Sequence, residues 1–196
     1  MNELLIATSN KGKLAEIKEL LKDVVLTFYS IEDFPDIPQV QEDGVTFEEN
    51  AMKKGLSAAR ATGKPVIADD SGLEVECLGG KPGVLSARYA GESATDAANN
   101  EKLLREIAHI PQELRKATFR CVIALCLPNG SFRTFTGFLK GLLLNGPRGD
   151  GGFGYDPLFL VPEYGRTLAE LPLEVKNSIS HRGKALAELK EFLRGA

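Results

Sequence analysis

The spacing of apolar positions at the start of the chain predicts a short strand followed by a helix. Residues 4–7, "LLIA", form an apolar run of strand length. Apolar residues then recur at helical spacing, at Leu14, Ile17, Leu20 and Leu21. The polar stretch Thr8-Ser9-Asn10 separates the two patterns, and Ser9 or Asn10 is a suitable N-cap. The sequence therefore predicts a strand, a polar turn and an amphipathic helix.

A second helix is marked at both of its ends, and an apolar run follows it. Thr46 and Glu49 have the spacing of a capping box, while Gly63 and then Pro65 are typical of the end of a helix. The following stretch, "PVIADDSGLEV", predicts a buried strand that runs directly into two adjacent carboxylates, Asp69 and Asp70. Like charges side by side repel, so this arrangement requires an explanation.

The rest of the chain continues the alternation of strands and helices. Residues 95–108 predict a helix, residues 117–127 and 131–141 predict an antiparallel hairpin around "PNG", and a glycine-dense loop occupies residues 145–157. The last apolar stripe predicts a C-terminal helix and consists of Ala185, Leu189, Phe192 and Leu193. Because the hairpin adds antiparallel strands to an interleaved pattern, we predict one α/β domain with a mixed sheet over residues 1–196.

Composition excludes some classes of protein. The 196 residues are 43% hydrophobic and carry a net charge of −3, which is typical of a globular protein and gives no global attraction to nucleic acid. No apolar run approaches membrane-spanning length, and the first residues lack the pattern of a signal peptide. Three cysteines lie in strand-like runs without CxxC spacing, which predicts buried free thiols. We therefore expect a cytoplasmic protein that binds neither membranes nor nucleic acid.

The first polar turn has the layout of a phosphate-binding site. In "TSNKGK", residues 8–13, helix N-terminal N–H groups would face an anion, and Lys13 would add a positive charge. The alternative for Thr8, Ser9, Asn10, Lys11, Gly12 and Lys13 is an ordinary capped helix with two solvated lysines.

The adjacent carboxylates suggest a metal site. Magnesium prefers carboxylate oxygens, and an ion shared by Asp69 and Asp70 would remove their repulsion. Glu42, in the acidic loop formed by residues 35–44, would be a third ligand. Solvated aspartates at the end of a strand are one alternative. Another is an aspartic protease, because Asp70-Ser71-Gly72 matches its Asp-Ser/Thr-Gly motif, although a single motif would require a symmetric dimer.

Two later stretches carry candidate ligand-binding residues. "GDGGFG", residues 149–154, has the glycine spacing of a dinucleotide fingerprint, but the strand-like "YDPLFLVP" follows in place of a helix. The loop either presents Phe153 and Asp156 to a ligand or is simply a loop. "VKNSISHRGKAL" concentrates cationic and polar residues at the start of the last helix, where they could bind a ligand or be solvated: Lys176, Ser180, His181 and Arg182.

Considered together, these motifs resemble the inosine triphosphate pyrophosphatase family. The resemblance covers residues 4–193 and rests on Thr8-x-Asn10-x-x-Lys13, Glu42, "ADDSGLEV", "FGYDP" and "SHRGKAL" in that order. It implies an elongated mixed β-sheet flanked by helices, with two lobes around a central cleft. It also implies magnesium-dependent hydrolysis of ITP, dITP or XTP to the monophosphate and pyrophosphate by a homodimer.

The resemblance also implies a role for each motif. The turn at residues 8–13 would bind the polyphosphate, Asp70 would be the general base with Ser71 as a phosphate contact, and Glu42, Asp69 and Asp70 would handle Mg²⁺. Phe153 would stack on the purine, and Gly154, Tyr155 and Asp156 would enclose it. The remaining residues would recognise the base: Lys176, Ser180, His181 and Arg182. A non-catalytic purine nucleotide-binding protein and the dimeric protease remain as alternatives.

Overall fold

The computed structural model describes residues 2–195 and has an α/β architecture. Its regular elements are, in chain order, β1 (Glu3–Ile6), α1 (Lys11–Leu20), β2 (Thr27–Ser30), α2 (Phe47–Thr62), β3 (Val66–Val75), α3 (Asp96–Ile107), β4 (Lys116–Cys126), β5 (Phe132–Leu143), β6 (Phe159–Val161), β7 (Arg166–Thr167), α4 (Leu173–Ile179) and α5 (His181–Gly195). The strands form one seven-stranded sheet in the order β2-β1-β3-β4-β5-β6-β7. Parallel pairs at one end and antiparallel pairs at the other confirm the predicted mixed sheet.

The chain divides into two compact units. Unit 1 contains the described residues up to Asp70, Cys121–Gly137, and the described residues from Arg182 onward. Unit 2 contains Ser71–Arg120 and Phe138–His181. The expectation of a single domain over the whole chain stays a prediction.

Unit 1 is built around parallel strands covered by helices. Strand β1 pairs with β2 on one side and β3 on the other, so that Leu5 is opposite both Tyr29 and Val66. Apolar side chains of these strands and of α1 and α5 form its core, among them Ile17 and Leu189. The predicted stripes of the first and last helices therefore pack inward, as amphipathic helices do.

Helix α2 has the predicted caps, with one change of partner. Thr46 Oγ1 accepts the backbone N–H of Glu49 at 3.1 Å, and Gly63 ends the helix in the left-handed conformation at φ 67°. Glu49 does not complete the box at Thr46 but accepts the N–H of Val45, at 2.7 Å. The helix packs closely because Gly55 has no side chain: a Cβ there would lie 2.5 Å from Cys126 Sγ.

Unit 2 has its own antiparallel strands and its own core. Strand β6 pairs with β5 and β7, so that Leu160 is opposite both Leu142 and Thr167. Phe119 and Phe159 lie in the core with ring centroids 4.7 Å apart. Helix α4 was not predicted, since its seven residues are too few to show a helical period.

One prediction about the cysteines is wrong. All three are free thiols and Cys121 and Cys126 are buried, but Cys77 is exposed. Cys77 lies in a strand-like stretch of sequence, but β3 ends at Val75 and Cys77 belongs to the single 3-10 turn that follows. None of the helices formed by the described residues has the length and apolar content needed to cross a membrane.

Candidate active site

The side chains of Asp69 and Asp70 point away from each other because successive side chains of a strand lie on opposite faces of the sheet. Asp69 lies on the face covered by α1 and α5, where Cys121 Sγ is 3.6 Å from its Oδ2. Asp70 lies on the face covered by α2. The two carboxylates are therefore balanced by different partners, and a shared metal ion is not needed to separate them.

Two cations hold Asp69. Lys13 Nζ lies 2.8 Å from Oδ1, and Arg182 Nε donates to Oδ2 at 3.2 Å. The Asp69 side chain is 1% exposed. Burial alone would raise the pKa of this carboxyl, but Lys13, Arg182 and Lys54 together hold the pKa far below its ordinary value. Asp69 is therefore ionised and anchors Lys13 at the start of α1.

The Arg182 guanidinium is itself buried, with a side chain that is 2% exposed. Besides Asp69, it forms an ion pair with Glu16 of α1. Burial alone would lower the pKa of Arg182, but the carboxylate of Asp69 and then that of Glu16 raise it, so the group stays charged. These contacts join α5, α1 and β3 around Asp69. The sequence did not single out Glu16, because a carboxylate on an exposed helix face has the same local pattern.

Asp70 has a different environment. Asn50 Nδ2 donates to its Oδ2 at 3.1 Å, and Lys54 Nζ lies 3.7 Å from its Oδ1. Burial raises the pKa of Asp70, with a smaller upward contribution from Glu42, while Lys54, Lys13 and Asn50 partly oppose the rise. A proton acceptor is better matched to neutral pH when its pKa is raised in this way.

Lys54 is a site residue that the sequence analysis missed. Its ammonium lies 2.7 Å from Glu42 Oε1 and donates to the carbonyl oxygen of Asp69 at 2.7 Å. Burial would lower the pKa of Lys54, but Asp70, Glu42 and Asp69 raise it. A signal was present: Asn50 and Lys54 are polar residues at i, i+4 spacing on the same helix face as the buried Ala51 and Ala58.

The predicted phosphate-binding turn is a capped helix N-terminus. Asn10 Oδ1 accepts the N–H of Lys13 at 3.0 Å, and Thr8 Oγ1 accepts the N–H of Asn10 at 3.2 Å. Ser9, Asn10 and Lys11 are exposed, and Gly12 is partly buried. The arrangement presents helix N-terminal N–H groups beside the Lys13 ammonium, as an anion site requires. A role in phosphate binding stays a prediction.

In unit 2, Phe153 is held next to a buried ion pair. Asp156 Oδ2 accepts both the N–H of Phe153, at 2.9 Å, and Lys176 Nζ, at 2.7 Å. The Lys176 ammonium lies 4.9 Å from the centroid of the Phe153 ring. An aromatic face, a donor and an acceptor are thereby brought together, which are the elements needed to bind a flat heterocycle.

Two residues of helix α3, Asp96 and Asn100, fix the backbone of Gly154. Sequence reasoning did not identify either of them. Asp96 Oδ2 accepts the N–H of Gly154 at 2.7 Å, and Asn100 Nδ2 donates to its carbonyl oxygen at 2.9 Å. Gly154 has φ 61°, which an L side chain rarely adopts. The neighbouring Tyr155 is buried and donates its hydroxyl to the carbonyl oxygen of Ser86 at 2.8 Å. These contacts hold the two residues that follow Phe153.

The remaining predicted residues lie in several environments. His181 stacks on Phe119, with ring centroids 4.7 Å apart and an interplanar angle of 8°. Ser180, the residue that follows α4 in the sequence, is buried, and Ser71, in β3 directly after Asp70, is partly exposed. The solvated alternative for this stretch is wrong, because Lys176, Ser180, His181 and Arg182 are all buried. Their role in recognising a base stays a prediction.

The acidic residues that the structure describes do not form a ready-made metal cluster. Among residues 2–195, no three carboxylate, histidine or cysteine side chains stand close enough together to hold a metal ion. Glu42 and Asp70 nevertheless face the same Lys54 ammonium, whereas both oxygens of Asp69 face cations. Hard carboxylate oxygens of this kind suit Mg²⁺, which commonly takes only one or two of them and completes its shell with phosphates and water.

Comparison with known proteins gives matches over nearly the whole chain. The sequence model of the Ham1 family matches residues 4–192. A Geobacter sulfurreducens protein named dITP/XTP pyrophosphatase is 61% identical over 98% of this chain and 97% of the relative. A Geobacillus kaustophilus protein of the same name is 51% identical, over 97% of this chain and 94% of the relative. The solved structure of a HAM1 protein from Coxiella burnetii is 45% identical, covers all of both chains and superimposes with a TM-score of 0.92.

Proposed function

Because the chain belongs to the Ham1 family, we propose that it is a dITP/XTP pyrophosphatase, which hydrolyses non-standard purine nucleoside triphosphates to the monophosphate and pyrophosphate. The observation in the structure that carries this proposal is the Asp69–Asp70 pair. The Asp69 carboxylate is paired with cations that keep its pKa low. The Asp70 carboxyl is buried beside Lys54, and burial raises its pKa. Such a pair provides an anchor for positive charge and a separate proton acceptor.

The polyphosphate is assigned to the N-terminal turn of α1. Thr8, Asn10 and the first-turn N–H groups supply donors, and Lys13, held by Asp69 at 2.8 Å, supplies a fixed charge. Because Asp69 already positions the Lys13 ammonium, little reorganisation is needed when an anion binds.

Asp70 is assigned as the general base. It takes a proton from a water molecule whose oxygen attacks the α-phosphorus, and the bond from that phosphorus to the bridging oxygen of pyrophosphate breaks. Ser71 is assigned as a phosphate contact beside it. Lys54 partly neutralises the negative charge of Asp70 and Glu42. It thereby reduces the electrostatic repulsion between the base and the substrate phosphates.

Magnesium is proposed as the cofactor. Glu42 and Asp70 are the carboxylates best placed to hold it, and Asp69 acts from the opposite face through Lys13. When bound, the ion would neutralise charge on the departing pyrophosphate.

The purine is assigned to Phe153 and the Lys176–Asp156 pair. Phe153 offers a stacking face, with Gly154 and Tyr155 shaping its loop. A donor beside an acceptor complements the 6-oxo group and N1–H of hypoxanthine and xanthine, whereas adenine presents the opposite order. A mismatch of this kind is strongly rejected, because it leaves buried polar groups unpaired. Ser180 and His181 complete the proposed set, whereas Arg182, which pairs with Asp69 and Glu16, is assigned to the support of Lys13.

Incubation with dITP and Mg²⁺ should release the monophosphate and pyrophosphate. Separate assays for pyrophosphate and orthophosphate, without added pyrophosphatase, check the bond that is cleaved. EDTA should abolish turnover and Mg²⁺ should restore it. Orthophosphate as the primary product would contradict attack at the α-phosphorus, and binding without turnover would favour a non-catalytic nucleotide-binding protein.

Phe153→Ala should weaken nucleotide binding by about 1–3 kcal/mol, the usual loss when base–aromatic stacking is removed. Stacking does not distinguish hydrogen-bonding edges, so the loss should be similar for ITP and ATP. The measurement is KM and kcat for both nucleotides, with the exposed Phe132→Ala as the matched control. A loss confined to ITP would show that Phe153 acts by another route.

A homodimer and a cytoplasmic location are further proposals, of which the homodimer rests on the family resemblance. Light scattering at micromolar concentration should give about twice the 21.2 kDa mass of the chain. A monomeric mass would contradict the dimer and leave the activity to be judged by the product assay.

A further inference from the structure

Asn50 connects Asp70 to the loop that carries Glu42. It lies in the first turn of α2 and is fully buried, at 0% exposure. Its Nδ2 donates to Asp70 Oδ2 at 3.1 Å, and its Oδ1 accepts the backbone N–H of Gly44 at 2.8 Å. Both polar atoms of the Asn50 side-chain amide are thus hydrogen-bonded, one to the Asp70 carboxylate and the other to the acidic loop.

The orientation of this amide is determined by its partners. A backbone N–H can only donate, so the atom facing Gly44 must be the amide oxygen, and the NH₂ group must face Asp70. The loop also approaches Asn50 closely, since a Cβ at Gly44 would lie 2.6 Å from Asn50 Oδ1. Neither a flipped amide nor a displaced loop keeps both hydrogen bonds.

The amide makes the two oxygens of Asp70 different. Oδ2 receives the Asn50 N–H, while Oδ1 faces Lys54, which also pairs with Glu42. We propose that Asn50 is a positioning residue that fixes the plane of the Asp70 carboxylate, directs Oδ1 toward the reacting water, and holds the Glu42 loop in register with it. This inference rests on the proposed role of Asp70 in hydrolysis.

Asn50→Asp is the sharpest substitution for testing this role. It keeps an acceptor for the Gly44 N–H and nearly the same volume, but it replaces the donor to Asp70 by a second carboxylate. Two carboxylates this close either repel or share a proton, and both outcomes disturb the proposed base. Small misplacement of a reacting group can cost about 10²-fold in rate, so we expect kcat for dITP to fall by about that factor.

Asn99→Asp is a matched control for the structural cost. Asn99 is 2% exposed and follows its capping residue Thr95 by the same interval as Asn50 follows Thr46, but both of its hydrogen-bond partners are backbone groups. Its Oδ1 accepts the N–H of Ala90 at 2.8 Å, and its Nδ2 donates to the carbonyl oxygen of Ala87 at 3.1 Å. We expect Asn99→Asp to lower the thermal midpoint and leave kcat close to that of the unsubstituted protein.

The experiment measures kcat, KM for dITP at saturating Mg²⁺, and thermal unfolding for all variants. A kcat loss with little change in KM supports positioning, because that pattern marks an interaction needed in the transition state. A kcat loss no larger than that of Asn99→Asp, or a change in KM alone, would overturn the proposal. The product assay on the unsubstituted protein tests the proposed function separately.

Gly44→Ala tests the same connection from the loop side. It keeps Asn50 and Asp70 but forces the loop away from Oδ1 and from Glu49 Cβ, which a Cβ would approach to 2.9 Å. We expect a smaller fall in kcat in the same direction. If Asn50→Asp does not fold, Gly44→Ala decides, and an unchanged kcat would refute the role of Asn50.

Discussion

Asp70→Asn should lower kcat for dITP by about 10²- to 10⁴-fold, the usual consequence of losing a general base. The substitution keeps the shape of the side chain but removes the oxygen that accepts the proton. It also removes a negative charge facing Lys54, so any contribution of Asp70 to magnesium binding would be lost as well. The measurement is steady-state kcat at several Mg²⁺ concentrations.

Asp43→Asn is the control for this substitution. Asp43 belongs to the same acidic loop as Glu42, but it is exposed and pairs with Lys53. Its replacement should leave kcat nearly unchanged. Near-normal turnover of Asp70→Asn would place the base at another residue, whereas equal losses in both variants would indicate a general effect of negative charge.

Arg182→Ala should destabilise the fold by about 3–5 kcal/mol, because removing one partner of a buried ion pair leaves the other charge without compensation. Here two buried carboxylates, Asp69 and Glu16, lose a cation. For a chain of this size, that loss corresponds to a decrease of roughly 6–20 °C in the thermal midpoint. The measurement is the unfolding midpoint by calorimetry or circular dichroism.

Arg194→Ala is the control on the same helix. Its guanidinium pairs with Asp23 and Glu191 at the surface, where ion pairs contribute little, so the midpoint should change only slightly. Equal midpoints for the two variants would contradict a stabilising role for the buried cluster.

The same Arg182→Ala variant tests the role in base recognition that the family resemblance implies for Arg182. If the guanidinium recognises the 6-oxo group, kcat/KM should fall more for ITP than for ATP. Its contacts with Asp69 and Glu16 instead lead us to expect similar decreases for both nucleotides, since Asp69 anchors Lys13. The ratio between the two nucleotides therefore separates a base contact from a support for Lys13.

The longer elements and most of their ends could be predicted because their signals are local, whereas the short β2, β7 and α4 were not predicted. Thr46 marks the start of α2 by its capping hydrogen bond, and Gly63 marks the end of α2 by its left-handed backbone. The apolar stripe from Ala185 to Leu193 indicates α5. The environment of Cys77 was misjudged, since its strand-like sequence continues past Val75, the last residue of β3. Alternation of apolar and polar residues indicates which face of a sheet each residue occupies, but it does not show where the pairing between strands ends.

By itself, the sequence determined the α/β pattern, the order of the motifs and the chemistry of the candidate groups. Only the tertiary structure decided which cation faces which carboxylate: Lys13 and Arg182 at Asp69, and Lys54 with the Asn50 amide at Asp70. Strand alternation alone sends adjacent side chains to opposite faces, but long-range packing selects the helix that covers each face. Partners separated by up to 113 residues in sequence cannot be paired from local spacing, because their approach depends on the folding of everything between them.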